Sequence, residues 1–123
     1  MEENVRWKVI DPLGNEIVLR ELTFQEHIDK DHSYADAIYR KSAEMQVKDA
    51  LVNLHLIFTN QNINNRNVYC KLIPAKNLAS DEYRLKFLKI VVDTDREPNE
   101  IVTWVAQSKV KEIVLEEWII YGK

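Results

Sequence analysis

The sequence predicts one α+β domain over residues 1–123, an N-terminal β-hairpin and two or three helices packed on a mostly antiparallel sheet of four to five strands. Three observations predict it. Apolar residues keep helical spacing in the first half of the chain. From Leu54 onward the period changes to two and β-branched residues become frequent. The later segments are joined by short polar loops with no helix between them, which implies antiparallel pairing.

Val5 to Val9 alternates apolar and basic residues, as a half-buried strand does. Asp11-Pro12-Leu13-Gly14-Asn15 has turn chemistry, and Glu16 to Leu19 returns as the second strand of the hairpin. Thr23-Phe24-Gln25-Glu26 has the spacing of a capping box and predicts a short helix ending near Asp31, with Phe24 and Ile28 facing inward. A second helical stretch starts near Ser33 and runs, with a break near Ser42, to about Asn53. Val47, Ala50, Leu51 and Leu54 mark its core face, and no Gly or Pro interrupts it. Leu54 to Phe58 reads as a strand, and the Asn-rich run 60–67 as a loop. Val68 to Ile73 is the next strand, stopped by Pro74. Tyr83 to Val92, Ile101 to Val105 and Ile113 to Tyr121 complete the sheet.

The chain has 123 residues, 46% hydrophobic and 30% charged, an ordinary balance for a domain with one core. Its net charge of −3 argues against broad nucleic-acid binding, although a local basic patch is compatible with it. A single cysteine, Cys70, excludes an internal disulfide and a multi-cysteine zinc cluster. No apolar run approaches the roughly 20 residues needed to cross a bilayer. The acidic start, Met1-Glu2-Glu3-Asn4, is unlike a signal peptide. These features lead to the expectation of a cytoplasmic protein with no membrane partner.

No glycine-rich phosphate loop and no serine elbow are present. His27 and His32 are five apart, about 140° around a regular helix, so they do not form a zinc pair on one face. No metal and no cofactor are expected. Two imidazoles at a helix-to-loop transition could instead supply a base and an acid near neutral pH. The plainer reading makes His27 a hydrogen-bonded residue beside Phe24 and His32 a helix-end cap. On the later strands, Tyr69 and Lys71 share one face of their strand, and Lys89 lies with Phe87 and Val91. With Arg66 they could hold a phosphate and stack a base; otherwise they are solvated strand residues. Thr103 alternates with Ile101 and Val105 and could donate to a phosphate oxygen, while Trp104 points the other way, into the core.

The ordered set of these pieces resembles the superfamily that groups barnase, EndoU, colicin ribonuclease domains and RelE (the BECR fold), in a phage or bacterial toxin-like branch. The resemblance runs through His27-Ile28 with His32, Val47 to Asn53 leading into Leu56-Ile57-Phe58, Asn65 to Lys71, Leu88 to Asp93, and Ile101 to Trp104. Relatives tend to have Pro where this chain has Leu54, a small residue where it has Trp104, and Pro-Glu where Ser33-Tyr34 stand. The resemblance implies a helix packed on a four-stranded antiparallel sheet. It also implies a metal-independent endoribonuclease, toxin-like or prophage-derived, that cleaves RNA by 2′-hydroxyl attack on the adjacent phosphate. Carried over by position, the catalytic residues are His27, His32, Arg66, Lys71 and Thr103, with Tyr69 and Lys89 binding substrate. RNA is then the substrate and a cognate inhibitor protein a partner. Two other readings stand beside this one: an inactive nuclease fold serving as a protein-interaction module, and a homodimer formed through an edge strand at the end of the chain.

Overall fold

The computed structural model describes residues 4–29, 43–59, 65–76, 82–108 and 114–122, with the side chains of residues 27–29 and 76 outside that description. In chain order its elements are β1 (Val5–Ile10), β2 (Glu16–Arg20), α1 (Glu21–Thr23), a π-helical turn (Phe24–Asp29), α2 (Glu44–Ala50), β3 (Leu56–Thr59), β4 (Arg66–Lys76), β5 (Tyr83–Asp93), β6 (Asn99–Gln107), a 3-10 turn (Glu116–Trp118) and β7 (Ile119–Tyr121).

This corrects the predicted fold class. Among the described residues the chain is mostly sheet. Seven strands form one mixed sheet in the order β1-β2-β6-β5-β4-β3-β7, and the α-helices are two and short. The N-terminal hairpin is not a separate flap. β2 lies parallel to β6, with Ile17 opposite Asn99 and Val18 opposite Glu100, so the hairpin extends the sheet. At the other end β7 pairs with β3. Ile17, Val18 and Leu19 are all buried, as fits a strand with neighbours on both sides and cover on both faces.

The described parts of the helical segments also depart from the predicted bounds. α1 starts directly after β2, with extended Arg20 before it and no side-chain cap; Thr23 is its last residue rather than its cap. α2 ends at Ala50, and the expected helical stretch from Ser33 to Ser42 lies outside the described residues. Val47, Ala50, Leu51 and Leu54 are buried, as their spacing predicts. β4 continues through Pro74, which pairs with Leu85. β3 pairs with β4 only from Asn67 to Cys70. Pro74 therefore sits where β4 has become an edge, a place that tolerates a residue without an N–H.

Register divides the sheet into two faces, because residues directly opposite one another share a face. Ile57, Tyr69, Ile90 and Trp104 run across the middle of one of them. With Ile17, Leu19, Leu88, Val92 and Ala106 they form the main core, closed by Phe24, Val47, Ala50, Leu51 and Leu54. On the second face a smaller cluster gathers Phe58, Val68 and Cys70 under Val114 and Trp118. The chain thus returns across this face before β7. A Cβ at Gly122, which has φ +89, would overlap the carbonyl oxygen of His55, so glycine is what allows this close approach.

One ionic cluster ties β1 to both helices. Arg6 donates to Glu44 of α2 and, at 2.8 Å, to Glu21 of α1, and its guanidinium lies 3.9 Å above the Phe24 ring centre. Trp7 Nε1 donates to the same Glu44 carboxylate at 2.9 Å. The hydrogen bond from Arg6 holds the Glu44 carboxyl below its ordinary pKa, against the effect of burial. The contribution is therefore complete above the usual glutamate range, about 4, and is lost as pH falls through the lower folded-state value. Glu44→Gln keeps an acceptor for Trp7 but loses the charge. It should lower stability by about 1–2 kcal/mol at pH 7. In urea titrations the gap between wild type and variant should shrink on acidification to pH ~3. A gap independent of pH would assign the effect to packing.

Candidate functional site

The second face carries the denser set of charged side chains at one end of β4, β5 and β6. Arg66 lies opposite Asp93, and Asp93 lies opposite Glu100. These three form one rung across the sheet. Val68, Val91 and Thr103 form the next rung, and Cys70, Lys89 and Val105 the one after it. Arg66, Lys89 and Thr103 are all half-buried.

The carboxylates of the first rung are held from several sides. Glu100 Oε1 lies 3.4 Å from Arg20 Nε, and Glu100 Oε2 lies 3.7 Å from a terminal nitrogen of Arg96. Arg96 also lies 3.9 Å from Asp93 Oδ2. Asp93 Oδ1 accepts from Asn65 Nδ2 at 3.3 Å and from the Asp95 amide at 2.9 Å. The Thr94 amide donates to the Asn65 carbonyl at 2.8 Å, so the start of β4 is tied to the β5–β6 turn. Arg66 makes no side-chain hydrogen bond or ion pair among the described residues. Arg20 and Arg96 thus contact the carboxylates of this rung, Arg66 stands in it, Asp95 and Glu97 flank Arg96 on the turn, and Lys89 lies two rungs away on the same face.

Of the seven residues singled out from sequence, the five with described side chains are divided between the two faces of the sheet. Arg66, Lys89 and Thr103 share the second face. Tyr69 and Lys71 lie on the core face. Tyr69 is 0% exposed and donates its hydroxyl to Asp11, so it offers no ring surface to a base. Burial first, and the Asp11 bond second, push its pKa above the usual tyrosine value. Lys71 pairs with Asp49 of α2 at 3.3 Å. His27 stands on the π-helical turn that Phe24 anchors in the core, and its side chain lies outside the described residues, as does all of His32. The third histidine, His55, is exposed and accepts a 3.4 Å bond from the Leu72 amide.

Sequence reading passed over Arg20, Asp93, Arg96 and Glu100. Asp93 and Arg96 are i,i+3, and Arg96 and Glu100 are i,i+4, around what reads as a plain polar turn. That spacing was the available signal. Nothing local indicated Arg20, which arrives through the parallel β2–β6 pair. Among the described residues no group of three or more His, Cys, Asp or Glu side chains could hold a metal ion, and no helix is long and apolar enough to cross a membrane. Comparison with protein-family models, with curated proteins and with solved structures gives no match.

Proposed function

We propose that this chain is a cytoplasmic, metal-independent ribonuclease of the BECR kind that engages RNA phosphate on the second face of its sheet. The observation that carries this reading is Arg66, half-buried and uncommitted among the described residues, on the same face of the sheet as Lys89 and Thr103. A guanidinium with free donors on a half-buried surface suits a phosphate, because it can give two parallel hydrogen bonds.

In this reading Arg66 holds the non-bridging oxygens and stabilises the phosphorane. The 2′-oxygen forms a bond to phosphorus as its proton leaves to a base. The bond from phosphorus to the 5′-oxygen breaks, and an acid protonates that oxygen. His27 and His32 are the proton carriers the resemblance implies. The test is incubation of RNA with the purified chain in excess chelator. The expected products carry 2′,3′-cyclic phosphate and 5′-hydroxyl ends, and Arg66→Ala should slow their formation about 100-fold. RNA left intact by wild type removes the ribonuclease reading, and undiminished cleavage by Arg66→Ala removes this site.

A second reading, a nuclease fold kept as a protein-interaction module without catalysis, is favoured by one observation: the carried-over residues with described side chains are divided between two faces of the sheet. Intact RNA together with stoichiometric recovery of one protein partner would select it.

A further inference from the structure

Of the three arginines around the first rung, Arg20 and Arg96 both contact Glu100, but they are held differently. Arg20 belongs to β2, its side chain is only 18% exposed, and its Nε lies 3.4 Å from one oxygen of Glu100. Arg96 stands on the β5–β6 turn with a side chain 62% exposed. Its contacts to Asp93 and Glu100, at 3.9 and 3.7 Å, are longer than hydrogen bonds. The two carboxylates therefore hold its charge near the rung while leaving its N–H donors to water. The two carboxylates are only 19% and 15% exposed, but each keeps another partner when Arg96 leaves: Asn65 and the Asp95 amide at Asp93, and Arg20 at Glu100. The same Asp93 lies directly opposite Arg66. Asp93 thus contacts Arg96 through its carboxylate and stands across the ladder from Arg66.

We infer that Arg96 is a second phosphate ligand, parked on Asp93 and Glu100, that moves onto the RNA phosphate adjoining the one held by Arg66. This inference rests on the RNA reading above and deepens it. A site with two guanidinium ligands in tandem selects a polynucleotide chain over a mononucleotide. Asp93 and Glu100 act as positioning residues. They keep the second cation in place before RNA arrives, and Arg20 keeps Glu100 in place.

The experiment measures binding of the full chain to a fluorescent, single-stranded 2′-O-methyl oligouridylate, which cannot undergo 2′-hydroxyl attack, over roughly 50 to 200 mM salt. Wild-type affinity should fall with salt. Arg66→Ala and Arg96→Ala should each reduce the slope of log K against log salt by about 0.7, the value for one contact to a single strand. Arg96→Lys, which keeps the charge, should restore the wild-type slope. Arg84→Ala removes an equally exposed arginine from the opposite end of β5, where it pairs with Glu82, and should leave the slope unchanged. A slope unaltered by Arg96→Ala, but reduced by Arg66→Ala, overturns the second ligand and leaves the RNA reading standing. Loss of slope in Arg84→Ala equal to that in Arg96→Ala overturns it too, because the contacts are then diffuse. Failure of Arg96→Lys to restore the slope also overturns it. No binding by wild type removes both the RNA reading and this inference.

Discussion

Trp104→Ala should lower the unfolding free energy by about 3–5 kcal/mol. The indole is 0% exposed, sits opposite Ile90 in the middle of the sheet, and meets the Phe24 ring at 6.2 Å between centres. It therefore joins β6 to the π-helical turn as well as filling the core. Truncation removes the largest fully buried side chain and leaves a cavity that neighbouring strands cannot close without shifting their ladders. The adjacent substitution is the control. Thr103 points to the second face, opposite Val91, so Thr103→Ala should stay within about 1 kcal/mol of wild type. Urea denaturation with a common slope reports both values. Comparable losses for the two variants would mean that the division into faces is wrong, and the placement of Arg66, Lys89 and Thr103 on one surface would fall with it.

The parity behind that contrast is visible in the sequence. Alternation along a single strand separates Thr103 from Trp104, and Tyr69 and Lys71 from Val68 and Cys70, but it also groups Ile101 with Thr103, whereas a register shift between Val91 and Val92 puts Ile101 in the main core. Helical spacing likewise finds Val47, Ala50, Leu51 and Leu54, all buried. Which face of one strand matches which face of the next is a different matter. It depends on register, and a slip of one residue exchanges the two faces completely. Lys71 faces Leu88 in the core layer, whereas Lys89 and Arg66 stand on the other side, and no local pattern distinguishes that outcome from its inverse. The parallel contact of β2 with β6 has the same character. It joins residues some eighty positions apart in the sequence, so a short-range reading yields a free hairpin where the fold has an extended sheet. Only the unbroken Ile17-Val18-Leu19 run hinted at an internal strand. The charged rung depends on both long-range facts, since Glu100 meets Arg20 through β2 and Asp93 through β5. The turn spacing of Asp93, Arg96 and Glu100 was legible, but its meaning required Arg66 to be its neighbour.

Asp11→Ala should cost about 2–5 kcal/mol, because one buried carboxylate serves several donors at once. Asp11 is 4% exposed. Its Oδ1 accepts from the amides of Leu13 at 2.9 Å and Asn15 at 2.8 Å, and its Oδ2 accepts from the Tyr69 hydroxyl. The contact joins the β1–β2 turn to the middle of β4, fixing the hairpin end of the sheet against its centre. Tyr69→Phe removes one donor and leaves the turn bonds in place, so its loss should be smaller, about 1–2 kcal/mol. The two variants also differ in their response to pH. Folding raises the Tyr69 pKa, through burial and then through Asp11. The associated stability is therefore complete below the ordinary tyrosine pKa, about 10, and is lost as pH rises beyond it, where ionisation favours the unfolded chain. Wild type should lose stability between pH ~9 and ~11 more steeply than Tyr69→Phe, which has no phenol at this position. Parallel curves for the two proteins would show that Tyr69 is reached by solvent. A tyrosine so exposed could stack a base after all, and the core face would then have a claim on RNA that its burial now denies.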